Sequence, residues 1–236
     1  KISELFKMKI VEFLILIPCR KGSKGIKNKN FIKIKNKSIY SYSLKHAKII
    51  KSKYKSSIIG ITTDKKNILK KKISDVFLIN RPAKISQDKS KSSEYITHAL
   101  EYFKNQKITF KNLIILQPTC PMRDKKDLFQ SVKLYISKKT SSLISVYKES
   151  YINEKVIYEK NKHHGKALNK LHNNEILRQK HKPFFVRNGS IYITKIKFFE
   201  KYKKIISERP TLYLMSKLNS VNIDTKDDLE IFRKII

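Results

Sequence analysis

Short apolar runs alternate along the chain with longer segments that carry apolar residues at helical spacing. Residues 11–17 are apolar except for Glu12 and are followed by Pro18, a pattern typical of a strand buried on both faces. Residues 40–51 and 92–103 each place their apolar side chains on one face of a helix. Further strands are predicted at 57–62, 76–79, 113–116 and 143–147, and further helices at 65–73 and 124–137. This alternation predicts an α/β fold with a mainly parallel sheet flanked by helices.

The alternation breaks between residues 149 and 187, a stretch that is rich in Lys, His and Asn. Strands are expected again at 190–194, 212–215 and 221–223. A last helix should follow, opened by a capping box between Thr225 and Asp228. A length of 236 residues suits one α/β domain. We therefore predict one doubly wound domain over residues 9–236, with an excursion at 149–187 and an N-terminal extension at 1–8.

The charge of the chain is strongly unbalanced. It has 54 Lys and Arg against 19 Asp and Glu, a formal net charge of +35, so a non-catalytic nucleic-acid-binding protein is one candidate class. Only seven of the basic residues are Arg; the 47 Lys are scattered over almost every segment, as expected for solvated surface. No helix-turn-helix, zinc-ligand or RNA-recognition pattern accompanies them. We predict no specific nucleic-acid partner.

Nothing in the sequence indicates a membrane or secreted protein. The longest apolar run, residues 13–17, is far shorter than the roughly 20 residues that a bilayer span needs, and no signal-peptide pattern is present. Cys19 and Cys120 are too few for a disulfide framework. We expect a cytoplasmic protein without a membrane partner.

The first of four polar loops follows the strand at 11–17 and is rich in glycine and cations. Residues 18–25 read Pro-Cys-Arg-Lys-Gly-Ser-Lys-Gly, and residues 27–30 read Lys-Asn-Lys-Asn. Ligands bind open α/β sheets at the carboxyl ends of the strands, where backbone N–H groups and cations can surround a polyphosphate. Neither the Walker pattern nor the dinucleotide pattern is present. The loop is therefore either a phosphate-binding loop of another kind or a basic surface turn.

The other three loops combine polar side chains with turn-forming residues. Residues 117–123 read Gln-Pro-Thr-Cys-Pro-Met-Arg, and the two prolines stiffen a turn that would hold Gln117 at the sheet edge. Arg178 precedes a second group at 187–192, Arg-Asn-Gly-Ser-Ile-Tyr. Residues 222–225 read Asn-Ile-Asp-Thr and would place Asn222 and Asp224 on one side of a strand. Asp224 suits Mg²⁺ beside a phosphate-binding loop, and it suits a helix cap equally well.

Together these loops resemble the acylneuraminate cytidylyltransferases, the CMP-sialic acid synthetase family, over residues 11–236. The resemblance implies a Rossmann-like nucleotidyltransferase that transfers CMP from CTP to the anomeric hydroxyl of a nine-carbon 2-keto sugar acid, N-acylneuraminate or legionaminate, and releases pyrophosphate. It also implies Mg²⁺ as cofactor and a homodimer in which residues 149–187 close the partner's sugar site. Related enzymes for pseudaminate or 3-deoxy-octulosonate are alternatives within the class.

The same resemblance assigns roles to individual residues. The nucleotide-binding set comprises Arg20, Lys21, Gly22, Ser23 and Lys24 around the phosphates, Asn30 at the ribose, and Arg81 with Ser92 at the cytosine. The sugar-binding set comprises Gln117, Lys155, Arg178 and Asn188, with a looser claim for Arg187. The residues with catalytic roles would be Arg20, Lys24, Gln117 and Asp224.

The metal site departs from the family pattern. Asp224 would anchor Mg²⁺, but Asn222 stands where the family usually has a second Asp. An Asn oxygen can coordinate a hard cation but brings no charge, so weaker Mg²⁺ binding is expected.

Overall fold

The computed structural model describes residues 8–22, 25–150, 152, 154–170, 172–173 and 183–236. Within them the strands are β1 (Lys9–Pro18), β2 (Lys33–Ile34), β3 (Lys37–Ser38), β4 (Ser57–Thr63), β5 (Val76–Asn80), β6 (Ile108–Leu116), β7 (Ser142–Glu149), β8 (Tyr158–Asn161), β9 (His164–Ala167), β10 (Phe184–Lys195) and β11 (Thr211–Met215). The helices are α1 (Ile39–Lys53), α2 (Lys66–Leu69), α3 (Ser92–Lys104), α4 (Lys125–Lys138), α5 (Ile196–Tyr202) and α6 (Lys226–Ile235).

Seven of these strands form one sheet in the order β11-β7-β10-β6-β1-β4-β5. Neighbouring strands are parallel, except that β10 runs antiparallel to both β6 and β7. The pairs β2–β3 and β8–β9 are separate short hairpins. The predicted mainly parallel sheet flanked by helices is confirmed.

Alternate residues of β1 supply the cores on the two faces of the sheet. Phe13, Ile15 and Ile17 pack in one buried cluster with the inner faces of α1 and α4. Leu14 and Leu16 pack on the opposite face with α3 and α5. A strand buried on both faces must be apolar at every position, which is why residues 13–17 read as an unbroken apolar run.

Several element boundaries differ from the sequence-based expectation. The helix predicted at 65–73 is a single turn, α2, and β6 starts at Ile108, five residues before the predicted strand. Residues 221–223 form no strand: this segment crosses the turn after β6, held by the Ile223 N–H donating to the Thr119 carbonyl at 2.8 Å. The capping box of α6 is confirmed, since the Asp228 N–H donates to Thr225 Oγ1 and the Thr225 N–H to Asp228 Oδ2.

The segment predicted as an excursion carries the exposed hairpin β8–β9, and its last residues already belong to β10. Among the described residues, no helix combines the length and the apolar character needed to cross a bilayer.

Candidate active site

A cavity of about 480 Å³ opens at the carboxyl ends of the central strands. Its walls come from the loop after β1, the segment between β5 and α3, the turn after β6, and Asp224 in front of α6. Parallel strands end at the same edge of a sheet, so loops far apart in sequence meet there. Arg20, Gln117 and Asp224 therefore line one cavity, as predicted.

Gly25 marks the closest approach between two of these walls. A Cβ atom at this position would lie 2.5 Å from the Asp224 carbonyl oxygen, which is closer than any side chain tolerates. A glycine is therefore required for the loop after β1 to pass against the backbone in front of α6.

Arg20 brings its guanidinium to the cavity. Its Nη1 lies 2.7 Å from Asp88 Oδ1 and 3.4 Å from the Ser86 carbonyl oxygen. Asn30, predicted at the ribose, is buried against this residue and donates from Nδ2 to the Arg20 carbonyl at 3.1 Å. Arg20 and Asn30 thus form one connected wall of the cavity.

The remaining residues of the loop after β1 divide into three cases. Gly22 lines the cavity. Lys21 is exposed and is not part of the lining; its backbone N–H donates to Asp64 Oδ1 at 2.5 Å, which ties the loop to the end of β4. Ser23 and Lys24 lie outside the described residues.

Arg81, predicted at the cytosine, lines the cavity with one edge of its fork already engaged. Its Nε and Nη2 both donate to the Ile85 carbonyl, at 2.9 and 2.6 Å, and its guanidinium carbon lies 4.7 Å from the centre of the Tyr95 ring. The Ile85 carbonyl, four residues away, therefore occupies one edge of the guanidinium. Burial lowers the pKa of Arg81. Ser92, at the first turn of α3, lines the cavity as expected.

The turn after β6 holds Gln117 in the cavity wall through its backbone. The Gln117 carbonyl accepts from the Cys120 N–H at 3.2 Å, from Arg123 Nη2 at 2.7 Å and from Ser43 Oγ at 3.2 Å. Because three donors hold one carbonyl, the turn has little freedom, and the backbone position from which the Gln117 side chain extends is fixed.

Asp224 stands at the cavity edge with its side chain 60% exposed. Its Oδ1 pairs with Lys29 Nζ at 2.6 Å, and its Oδ2 accepts from Asn222 Nδ2 at 2.5 Å. The Asn222 Oδ1 lies 3.5 Å from the Cys120 thiol instead. The Asn222 amide here turns its donor towards Asp224 and its oxygen away, and its role as a metal ligand stays a prediction.

The residues around Asp224 fit Mg²⁺ in one of its ordinary binding modes. Among the described residues, no group of three or more His, Cys, Asp or Glu side chains could hold a metal ion. Mg²⁺ commonly takes only one or two protein carboxylates and completes its shell with substrate phosphates and water. Asp224 supplies one such carboxylate, and the cations that line the cavity can hold the phosphates that would complete the shell.

Asn188, predicted at the sugar, is buried and is not part of the cavity lining. It is 5% exposed; its Oδ1 accepts from Ser145 Oγ at 2.6 Å and from the Ser190 N–H at 3.0 Å, and its Nδ2 donates to Ser220 Oγ at 2.8 Å. This side chain fixes the start of the buried part of β10, next to Gly189, whose φ of +74° favours glycine.

Of the other predicted sugar-site cations, Lys155 and Arg187 are not part of the cavity lining. Lys155 is half-buried in a short turn of helix at Glu154–Val156, and Arg187 is exposed where the register of β10 shifts. Arg178 lies outside the described residues.

Sequence reasoning assigned no role to Asp88, Lys29 or Tyr95, all of which line the cavity. Lys29 was visible as part of a Lys-Asn-Lys-Asn run, but its partner Asp224 is 195 residues away. Asp88 lies in a loop without any motif, and Tyr95 reads only as an apolar position of α3.

A model of the cytidylyltransferase family matches residues 14–235. The chain belongs to this family. The match includes every described residue that lines the cavity, so the cavity belongs to the part of the chain that the family shares.

Three curated proteins illustrate what this chain is similar to. The N-acylneuraminate cytidylyltransferase of Escherichia coli is 26% identical over 225 residues, 93% of this chain and 51% of the relative. The post-translational flagellin modification protein B of Campylobacter coli is 29% identical, with 95% of each chain covered. The CMP-N,N'-diacetyllegionaminic acid synthase of Campylobacter jejuni is 26% identical, with 96% of each covered. The chain thus spans about half the length of the Escherichia coli relative.

Among solved structures, a CMP:2-keto-3-deoxy-manno-octonic acid synthetase complexed with CTP superposes with a TM-score of 0.63. It is 14% identical and covers 95% of this chain and 98% of its own. At this identity the likeness concerns the fold alone, and it agrees with the mainly parallel sheet described above.

Proposed function

We propose that the chain transfers CMP from CTP to the anomeric hydroxyl of a nine-carbon 2-keto sugar acid, N-acylneuraminate or legionaminate, with release of pyrophosphate. The observation that carries the proposal is the single cavity that joins Arg20, Gln117 and Asp224. The names of the Escherichia coli and Campylobacter jejuni relatives support the choice of acceptor. A reaction that consumes CTP also suits the cytoplasmic location expected from the sequence.

The phosphate end of CTP would lie against the loop after β1. Arg20 supplies a planar guanidinium that can donate to two phosphate oxygens at once, and Lys29 supplies a second cation from the same side of the cavity. Nucleotidyl transfer depends mainly on positioning and on neutralising the charge of the phosphates. These two side chains would do both, once each exchanges its carboxylate partner for a phosphate.

We assign Asp224 two tasks at the cavity edge. Its carboxylate would hold Mg²⁺, which when bound neutralises charge on the triphosphate. Of the two carboxylates that line the cavity, Asp88 pairs with the phosphate-binding Arg20. Asp224 pairs with Lys29 in the same way, and we assign to it the proton of the attacking hydroxyl, which it would accept while the bond between the α-phosphorus and the leaving pyrophosphate breaks.

The acceptor would enter beside Gln117, whose amide can both donate to and accept from sugar hydroxyls. Lys155 and Arg178 remain our candidates for the carboxylate of the acceptor, supplied by the second subunit of a homodimer. The exposed apolar side chains of Tyr158, Leu168 and Phe184 support this assembly, because they leave the excursion with apolar surface that a partner could cover.

The test is pyrophosphate release from CTP with a panel of acceptors. N-acetylneuraminate, legionaminate, pseudaminate and 3-deoxy-octulosonate are each supplied with CTP and Mg²⁺, and the CMP-sugar is identified by mass. We expect turnover with one of the first two acids and none when UTP or ATP replaces CTP. Turnover only with pseudaminate or only with 3-deoxy-octulosonate would change the substrate. No turnover with any acid would overturn the proposal.

A further inference from the structure

The guanidinium of Arg123 is buried with its full set of donors in use. The residue is 3% exposed. Its Nε donates to the Ser190 carbonyl at 3.0 Å, and its Nη2 donates to the same carbonyl at 2.7 Å and to the Gln117 carbonyl at 2.7 Å. Its Nη1 lies 3.2 Å from Ser43 Oγ and 3.4 Å from His46 Nδ1. Five N–H groups thus have five contacts.

These partners are all neutral. Burial, reinforced by the charge of Arg123, lowers the pKa of His46 to about 3, so its ring is uncharged near pH 7 and can accept a hydrogen bond at Nδ1. Among the described residues, no ion pair involves Arg123. A buried cation without a carboxylate partner is costly to keep, and five hydrogen bonds only partly offset that cost.

The five contacts join three elements behind the cavity wall. Ser43 and His46 belong to α1, the Gln117 carbonyl closes β6, and Ser190 belongs to β10. Ser43 is shared, because its hydroxyl also donates to the Gln117 carbonyl. Arg123 itself does not line the cavity, whereas residues 117–119 do. Its side chain therefore acts on the cavity only through the turn that it holds.

We propose that Arg123 is a positioning residue for the acceptor: by clamping the Gln117 carbonyl to α1 and β10, it sets where the Gln117 side chain meets the sugar. This inference rests on the proposed function, since it assigns the turn after β6 to the acceptor side of the cavity. A planar fork can hold two carbonyls in fixed directions, which the flexible ammonium of a lysine cannot. In a chain with seven Arg and 47 Lys, an arginine at this position agrees with a geometric requirement.

The main test compares Arg123→Lys and Arg123→Ala with a surface control, Arg233→Ala, whose side chain pairs with the exposed Glu230. We expect Arg123→Lys to lower kcat and raise the KM for the acceptor, about 10-fold combined, while the KM for CTP changes less than twofold. Added guanidinium should restore much of the activity of Arg123→Ala, and Arg233→Ala should behave as the unchanged chain. Equal losses for CTP and acceptor, or no effect of Arg123→Lys, would overturn the positioning role.

A milder variant covers the case in which Arg123→Ala does not fold. Ser43→Ala removes one donor to the Gln117 carbonyl and one acceptor of Arg123, and keeps the guanidinium itself. It should shift the acceptor KM in the same direction by a few-fold, again without changing the KM for CTP. A change confined to CTP would contradict the proposal.

A measurement without substrate separates this inference from the proposed function. The Cys120 N–H donates to the Gln117 carbonyl, so its hydrogen–deuterium exchange reports how firmly the turn is held. Exchange at Cys120 should be at least 10-fold faster in Arg123→Lys and Ser43→Ala than in the unchanged chain. Faster exchange in a chain that turns over no acceptor would refute the function and keep the clamp. Unchanged exchange would refute the clamp whatever the activity.

Discussion

Acidification should destabilise this protein through one buried imidazole. His46 is 6% exposed, and its ring packs against Arg123 on the inner side of α1. Burial lowers the pKa of this ring from about 6.5 to about 3. In the unfolded chain the same ring binds a proton near pH 6.5. Between these values the unfolded state holds more protons than the folded state, so the free energy of unfolding must fall as the pH falls.

The size of the effect follows from the two pKa values. Between pH 7 and pH 5 the unfolded ring becomes almost fully protonated while the folded ring stays neutral. Integrating the proton difference gives a loss of about 2 kcal/mol over that range, with a limiting slope of about 1.4 kcal/mol per pH unit. The stability that comes from keeping His46 neutral is fully present above the pKa of the unfolded chain, and it is lost progressively as the pH falls towards 3.

The assay is urea unfolding followed by circular dichroism at pH 5, 6 and 7, on the unchanged chain and on His46→Asn. The Asn Oδ1 can take the place of the His46 Nδ1 as an acceptor for Arg123 and does not titrate, so the difference between the two chains isolates the imidazole. Other groups cancel in that difference, including Asp127, whose pKa burial raises and whose effect has the opposite sign. If both chains lost the same free energy between pH 7 and 5, His46 would not be held neutral and the reasoning would be refuted.

Three further predictions concern the cavity. Arg20→Lys keeps the charge but loses the planar fork, so kcat/KM for CTP should fall about 10- to 100-fold, the equivalent of one charged hydrogen bond. Steady-state kinetics measures this, and full turnover would show that the fork does not bind the phosphates. Asp224→Ala should abolish Mg²⁺-dependent turnover while changing the free energy of unfolding by no more than about 1 kcal/mol, because the Asp224 side chain is itself 60% exposed; retained activity in the kinetic assay would show that another group anchors the metal. Gly25→Ala should weaken CTP binding at least 10-fold by calorimetry, since its methyl group would meet the Asp224 carbonyl, whereas Asp75→Asn, outside the cavity, should leave binding unchanged.

The fold could be predicted because its strongest signals are periodic and local. The apolar run of β1 and the one-sided faces of α3 and α4 each identify an element without knowledge of its neighbours. The weak elements were predicted less well: α2 is a single turn, and α5 was not predicted at all. Elements this short owe their conformation to what they pack against, which a pattern of a few residues does not contain.

The candidate site divides in the same way. The convergence of Arg20, Gln117 and Asp224 follows from the geometry of parallel strands, which place their following loops at one edge. The hydrogen-bond partners of Asn188 and Asn222, by contrast, could not be predicted from the sequence. An amide can donate or accept on either side, so its role depends on partners such as Ser145 and Cys120 that lie far away in the sequence. Only the three-dimensional structure shows which partner each amide has found.

The position of β10 has a consequence for how the chain assembles. Residues 9–116 contain four strands that are neighbours in the sheet, β6-β1-β4-β5, and can pair as soon as they exist. The next strand of the large sheet, β7, has no place beside them until β10, which begins about 35 residues after β7 ends, enters between it and β6. During synthesis the edge of β6 stays open until the chain has passed residue 195, and open strand edges are sites of mispairing. A chaperone that protects this intermediate would therefore bind the exposed edge of β6.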